Sequence, residues 1–157
     1  MEFIELHQIQ LQILAHVGLA MVLGAAIGFE REIEDKPAGL RTHMLVAGAA
    51  ALLVALSGMV VKHFNVNLGS ELVRSDPIRI IQAVITGVSF LGAGTIMRSA
   101  TRQVEGLTTA ASILFTAAVG ICVALSQLVL AVGATVLVLI TLRGVGLVQR
   151  RLEKQQR

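Results

Sequence analysis

Four long runs without a charged side chain divide this sequence of 157 residues. They cover residues 11–29, 44–61, 80–97 and 106–142, and only 15% of the whole chain is charged. A soluble domain carries about 25% charged residues. Runs of about 20 apolar residues instead match the thickness of a bilayer core. The pattern therefore predicts a membrane protein with several spans and no separate soluble domain.

The last of these runs is too long for one crossing. As a single helix it would extend roughly 55 Å, against a bilayer core of about 30 Å. Ser126 and Gln127 form the polar pair near its middle, so we expect the chain to turn there. The sequence thus predicts an all-α fold, a polytopic integral membrane helix bundle with five transmembrane helices. The predicted spans are residues 11–29, 44–61, 80–97, 107–125 and 128–142, within a transmembrane domain over 1–142 that precedes a basic cytoplasmic tail over 143–157.

The basic residues predict the orientation of these spans. The first connection, the third connection and the tail together carry ten Lys and Arg residues, whereas the second connection carries three and the fourth none. The positive-inside rule places the richer side in the cytoplasm. We therefore expect the amino terminus outside and the carboxyl terminus inside. The acidic start MEFIELHQ lacks the basic segment of a signal peptide, so we expect the first span to remain as an anchor.

The composition also argues against several functions. Trp and Tyr, which would stack on bases, are absent, so no nucleic-acid partner is expected. The single cysteine, Cys122, allows no internal disulfide. The four histidines are scattered, with no Ser-His-Asp order, zinc-ligand spacing or phosphate loop. We therefore predict no catalytic residues, no metal ligands, no cofactor and no enzymatic activity, and we expect the basic tail to contact membrane lipids.

Glycines spaced for close helix packing stand in the first and third spans. Gly24 and Gly28 lie four residues apart and share one helix face, and Gly87 belongs to a similar face of small residues. Small residues let backbones approach each other where lipid provides no hydrophobic drive. We expect these three glycines to pack helices, within one protomer or across a dimer. A solute path is the alternative, because glycine-interrupted spans mark unwound helices at transporter sites.

The segment FEREIEDKPAGLRTH after the first span leaves two interpretations open. In one, Glu30 and Arg31 belong to a solvated charge cluster at the membrane surface. In the other, Glu30 and Arg41 face each other or a partner, because a charge just inside the membrane boundary is costly unless it is paired. Thr42 is expected to cap the second helix.

Capping residues also stand before the third and fourth spans. Asp76 is expected to cap the third helix ahead of Pro77. Two further roles stay open for Asp76: forming an ion pair with Arg79, or facing a cation on the external side of the membrane. Thr108 or Thr109 is expected to cap the fourth helix with its hydroxyl.

Three motifs carry a family resemblance. GAAIGFERE…KPAGLRTHMLV, DPIRI…Q…TGVSFLGAGTIM and VEGLTTAASILFTAAVG lie in order between about Leu19 and Gly120. In sequence and spacing they resemble the membrane domain of the MgtC/SapB family of bacterial inner-membrane proteins. Thr108 departs from the virulence-associated branch, which reads asparagine there. By position, the resemblance nominates as family-motif residues Glu30, Arg31, Arg41, Thr42, Asp76, Arg79, Gly92, Gly94, Gly106, Leu107, Thr108 and Thr109.

The resemblance implies a function as well as a fold. It implies a multi-pass protein of the bacterial inner membrane, linked to magnesium transport by operon context, and in the virulence-associated branch a regulator of membrane proteins that include ATP synthase. We expect a non-catalytic protein that forms a homo-oligomer such as a dimer and modulates other membrane proteins, or magnesium and ion homeostasis, through helix contacts. The resemblance does not carry over functions of the soluble carboxyl-terminal domain found in longer members.

A small magnesium or cation transporter or channel is the alternative function. Magnesium prefers oxygen ligands in near-octahedral geometry, usually with carboxylates or retained waters. The acidic candidates Glu30, Asp76 and Glu105 all lie at span ends, and no span has an acidic residue at mid-membrane. The charge pattern therefore argues against a tight central magnesium site, whereas hydroxyls or carbonyls would line only a weak path.

Overall fold

The computed structural model describes residues 2–68, 77–98 and 104–155. Within these residues the chain is helical apart from turns and one short ladder. The helices are α1 (Glu2–Ile33), α2 (Leu40–Leu68), α3 (Pro77–Gly94), α4 (Leu107–Ala124) and α5 (Leu128–Gln155). The strands β1 (Met97–Arg98) and β2 (Val104–Glu105) pair antiparallel between α3 and α4. The predicted all-α fold with five helices is confirmed for this part of the chain.

Three of the described helices are long and apolar enough to cross a membrane: Leu6–Ile33, Leu40–Val60 and Leu107–Ala124. The apolar stretches of α3 and α5 are shorter, Ile78–Gly94 and Leu128–Gly144. The apolar helices thus indicate a membrane protein, while crossings by α3 and α5 stay a prediction. α5 begins at the predicted residue and stays helical through most of the segment predicted as a tail.

The turn between α1 and α2 is closed by backbone and side-chain hydrogen bonds. Asp35 adopts a left-handed φ of 53° after α1, and its amide donates to the Glu32 carbonyl at 3.1 Å. The Glu32 carboxylate then accepts the amide of Leu40 at 2.7 Å and caps α2. The cap predicted at Thr42 is therefore wrong. Because α2 begins at Leu40, Thr42 already lies within its first turn, exposed to the surroundings.

The ends of α4 depend on residues in the left-handed region. Gly106 precedes the helix with a φ of 90°, and a Cβ there would overlap the carbonyl oxygen of Thr95. No described side chain caps the start of α4, so the capping roles predicted for Thr108 and Thr109 are wrong. Ser126, with a φ of 59°, ends the helix in a Schellman motif. This turn lies where the length of the fourth uncharged run required one.

α4 is the central helix of the bundle. Its apolar stretch is 50% buried, against 22% for that of α1 and 33% for that of α2, and it contacts the other four helices. One buried apolar cluster joins it to α1, α2 and α5, and consists of Ala20, Ile27, Ala47, Ala51, Val119, Val123, Ala131 and Val138. A second cluster lies mainly between α4, α2 and α3, and consists of Ala38, Val46, Ala50, Val84, Val88, Ile113, Ala117 and Ile121. Many of these side chains are alanine, which lets the backbones approach closely.

Candidate functional site

An ion pair between two consecutive residues is buried where α1 ends. Arg31 Nε donates to Oε2 of Glu30 at 2.6 Å, and Nη2 donates to Oε1 at 2.8 Å. Glu30 is 3% exposed and Arg31 is 4% exposed. Consecutive residues of a helix point about 100° apart and do not normally face each other. The side chains of Glu30 and Arg31 must therefore turn towards each other to form the pair. The pairing neutralises a carboxylate that would be costly to bury alone.

His43 joins the first turn of α2 to α4. Its side chain is fully buried, with Nδ1 2.9 Å from the Gly39 carbonyl oxygen and Nε2 3.1 Å from Ser112 Oγ. Because a carbonyl oxygen can only accept, Nδ1 carries a proton. The last turns of α1, which carry this ion pair, pack against the histidine, since a Cβ at Gly28 would lie 2.9 Å from His43 Cβ. The ion pair and the histidine therefore form one polar cluster at the junction of α1, α2 and α4.

Three buried hydroxyl groups extend this cluster along α4. Thr109, Ser112 and Thr116 are spaced by three and four residues, so they share one helix face. Ser112 Oγ lies 2.8 Å from the Thr109 carbonyl oxygen, and Thr116 Oγ1 donates to the Ser112 carbonyl at 2.8 Å. The one hydroxyl hydrogen of Ser112 goes either to that carbonyl or to Nε2 of His43. The chain of hydrogen bonds thus has two arrangements, which differ in whether Nε2 carries a proton.

Glycines hold α1 and α4 against α2 at the level of this cluster. A Cβ at Gly24 would lie 2.6 Å from the His43 carbonyl oxygen and 2.9 Å from Ala47 Cβ. A Cβ at Gly28 would lie 2.9 Å from His43 Cβ, and one at Gly120 would overlap the Ala47 carbonyl oxygen. Ordinary Cβ contacts are longer than these, so α2 is held between two backbones that tolerate only glycine at these points.

The polar groups of the cluster are thus satisfied inside three tightly packed helices. Both oxygens of Glu30 accept hydrogen bonds from Arg31, the Thr116 hydroxyl bonds within α4, and the Ser112 hydroxyl lies between α4 and His43. No described side-chain nitrogen or oxygen that is fully buried lacks a partner. Satisfied buried networks of this kind rigidify a core and select one packing arrangement. Among the residues that the structure describes, no three His, Cys, Asp or Glu side chains are grouped as for a metal ion.

Comparison with known proteins assigns the chain to a family. The model of the MgtC family matches residues 17–151, which include the whole polar cluster. The chain belongs to the MgtC family. The family resemblance predicted from the three motifs is confirmed. No solved structure matches the chain.

Similar proteins of several bacteria cover most of this MgtC-family chain. Protein SapB of Bacillus subtilis is 37% identical over 109 residues, which are 69% of this chain and 46% of that protein. The putative magnesium transporter YhiD of Escherichia coli is 40% identical over 124 residues, 79% of this chain and 56% of that protein. Protein MgtC of Salmonella typhimurium is 40% identical over 120 residues, which are 76% of this chain and 46% of that protein. The chain spans about half the length of the curated relatives it matches.

The structure brings five of the predicted site residues of this MgtC-family chain together. They are Gly24, Gly28, Glu30, Arg31 and Thr109. Neither interpretation of the charged segment is right in full. Glu30 and Arg31 are buried rather than solvated, and the partner of Glu30 is Arg31 instead of Arg41, which is exposed. The reason is that Gly28 draws this end of α1 onto the start of α2, away from the surroundings.

The remaining family-motif residues lie outside the polar cluster. Gly92 packs on α4, where a Cβ would lie 3.4 Å from Ala110 Cβ, and Gly106 makes the left-handed turn described above. The exposed members are Arg41, Thr42, Arg79, Leu107 and Thr108. Asp76, with its predicted cap and ion pair, lies outside the described residues.

Two predicted glycines have no packing contact within the described part of the chain. No described heavy atom lies within 4 Å of a Cβ position at Gly87 or Gly94. The packing role predicted for Gly87 within one protomer is therefore not found among these residues, because Gly87 lines an apolar groove between α3 and α2. A contact between copies stays a prediction.

Sequence reasoning did not assign His43, Ser112 or Gly120 to the site. A signal existed for Ser112, because it stands between Thr109 and a further hydroxyl at helical spacing. The signal for His43 is its spacing: it precedes Ala47 by four residues, so the two residues share one face of α2. Gly120 has no local signal, since its importance arises only from where α4 meets α2.

Proposed function

We propose that this chain is a non-catalytic bacterial membrane protein that modulates other membrane proteins, or magnesium and ion homeostasis, through helix–helix contacts. The observation that carries the proposal is the buried pair in which Arg31 occupies both carboxylate oxygens of Glu30. A cation that passed here would have to displace Arg31 and leave its charge unpaired in the protein interior, which is costly. This cost supports a bundle that acts by its outer surface rather than as a conduit.

The outward faces of α3 and α5 support contacts with other helices. Phe90 on α3 is 81% exposed and Val129 on α5 is 91% exposed. Leu137 and Ile140 continue an apolar face along α5. Within a bilayer, such faces contact lipid or the helices of other membrane proteins, and close packing decides which.

The proposal includes a placement in the inner membrane. In this placement the chain crosses the membrane five times, with its amino terminus outside and its carboxyl terminus in the cytoplasm. The chain also forms a homo-oligomer such as a dimer. The excess of Lys and Arg in the first connection, the third connection and the tail supports this orientation. Reporter fusions at the two ends test it, and reporters in the same compartment would contradict five crossings.

Magnesium flux into liposomes tests the proposed function. The full chain is reconstituted around a magnesium-sensitive dye, with empty liposomes as the baseline and a known magnesium channel as the positive control. We expect no flux above the baseline. We also expect cells without the chain to grow differently under magnesium limitation and to recover when it is restored. Flux well above the baseline would contradict the modulator, and unaffected growth would contradict a role in magnesium homeostasis.

A magnesium or cation transporter is the second candidate. The name of the Escherichia coli relative, a putative magnesium transporter, favours it, and so does the row of polar groups from His43 through Ser112 to Thr116. If flux is observed, Ser112→Ala should lower it because the substitution interrupts that row. Thr141→Val, which removes an exposed hydroxyl bonded within α5, should leave it unchanged.

A further inference from the structure

An apolar groove of about 1010 Å³ lies between α2 and α3. Small residues make room for it: Ala49 and Ala50 line the α2 side, and Ala83 and Gly87 line the α3 side. The Cβ position of Gly87 has no described heavy atom within 4 Å. Among the described residues, the groove is therefore an unfilled space between two apolar helices, and it lies apart from the polar cluster.

The ends of the groove differ in chemistry. Residues 69–76 are too few to carry the chain back along α2, so α2 and α3 run antiparallel. Val60 and Arg79 therefore lie at one end of the groove, and Leu45 and Leu91 lie at the other. Arg79 is the one charged side chain among the described residues that line the groove. It stands at the start of α3, where an apolar helix leaves the polar surface.

The length of the groove favours one kind of occupant. From Arg79 to Leu91, α3 rises roughly 18 Å at 1.5 Å per residue. One leaflet of a bilayer core measures about 15 Å, half of the roughly 30 Å that a transmembrane helix must cross. The groove thus matches a single acyl chain better than the membrane-spanning helix of a partner.

The guanidinium of Arg79 matches the head of the same molecule. Arginine carries five N–H donors in a planar fork that suits a phosphate group, so it can keep an intramolecular contact and still bind one. Charge-assisted hydrogen bonds between arginine and phosphate are strong in whichever leaflet the headgroup lies. An apolar groove about as long as one leaflet is thick, with a cation at one end, is therefore suited to bind an anionic phospholipid.

We propose that the groove between α2 and α3 binds an acyl chain of an anionic phospholipid, whose phosphate contacts Arg79. The inference requires α2 and α3 to lie in the membrane and is independent of whether the protein modulates others or transports ions. Gly87 then has a role that helix packing does not give it, because it leaves space for the chain.

Lipid retention by the purified full chain tests the proposal. Native mass spectrometry counts bound phosphatidylglycerol and bound phosphatidylcholine with matched acyl chains, after exchange into detergent with equal amounts of both. We expect one retained lipid per protomer, with phosphatidylglycerol preferred. Arg79→Gln should lower this preference about fivefold, the effect of one basic contact. Gly87→Leu should lower retention of both lipids, because its side chain fills the groove.

Two matched variants separate this site from general effects. Lys36→Gln removes an exposed lysine of the turn between α1 and α2, away from the groove, and Gly133→Leu enlarges a glycine of α5 that has no described neighbour within 4 Å. Both should retain lipid as the unmodified chain does. Equal effects of Arg79→Gln and Lys36→Gln would overturn the proposal, as would retention unchanged by Gly87→Leu. A dimer that excludes lipid and dissociates in Gly87→Leu would also overturn it, since the occupant would then be a second copy.

Discussion

Replacing Gly120 by alanine should destabilise the protein even though alanine is the better helix former. Gly120 lies inside α4, where the exchange would by itself gain about 0.5–1 kcal/mol. The added Cβ, however, would overlap the carbonyl oxygen of Ala47 and would lie 3.0 Å from its carbonyl carbon. These are backbone atoms of α2, which cannot rotate away as a flexible side chain would. The helices must therefore move apart.

The size of the effect follows from two opposing contributions. Forcing extra volume into a well-packed core costs about 1–3 kcal/mol, or more where backbone must shift. After the gain in helix propensity is deducted, we expect Gly120→Ala to lower the free energy of unfolding by about 1–2 kcal/mol. For a chain of this size, that corresponds to a melting temperature lower by roughly 2–8 °C.

Gly133 provides the matched control for this substitution. It also lies in a helix, but no described heavy atom stands within 4 Å of its Cβ position. Gly133→Ala should therefore raise stability by about 0.5–1 kcal/mol. Because the chain has no Trp or Tyr, a fluorescent fusion heated in detergent and separated by size reports the folded fraction. If both alanine variants shift the melting temperature in the same direction by similar amounts, the contact of α4 with α2 is refuted.

Three other substitutions test the turns by the same assay. Ser126→Gly should stabilise the chain by about 0.5–1 kcal/mol, because it relieves a left-handed serine, and a lower melting temperature would contradict this. Glu32→Gln should cost about 0.5–1 kcal/mol, because the charged cap of α2 is lost, and no change would show that the cap contributes nothing. Gly106→Ala should cost about 2 kcal/mol or more, because its φ of 90° and its close neighbour both oppose a side chain. Gly94→Ala, without a described neighbour, should cost less, and an equal loss would contradict the account of that turn.

The number of helices could be predicted from the sequence because it depends on length and charge. A charge-free run longer than a bilayer core must turn, and Ser126 turns it. The ends of the helices could not be predicted as well. α1 begins at Glu2, well before the apolar run, because backbone hydrogen bonds continue where hydropathy changes. The cap of α2 was missed because Glu32 belongs to the preceding helix and lies eight positions before Leu40 in the sequence.

The candidate site was predictable only where it depends on local spacing. Gly24 and Gly28 follow a spacing that by itself favours close packing. The pairing of Glu30 with Arg31 contradicts the rule that neighbouring residues of a helix point apart, so no pattern indicates it. The contact between His43 and Ser112 joins residues 69 positions apart. It arises from how α2 and α4 pack, which local sequence does not specify.

The buried pair of Glu30 and Arg31 carries the proposal of a bundle that acts by its outer surface, and a double-mutant cycle measures this pair directly. Glu30→Met and Arg31→Met each leave one charge buried without its partner and should each cost about 3–5 kcal/mol. The double variant leaves no charge, so its loss should fall short of the sum of the two by about 2–3 kcal/mol or more. Additive losses, with a coupling free energy within about 0.5 kcal/mol of zero, would contradict a stabilising ion pair at the junction of the three helices.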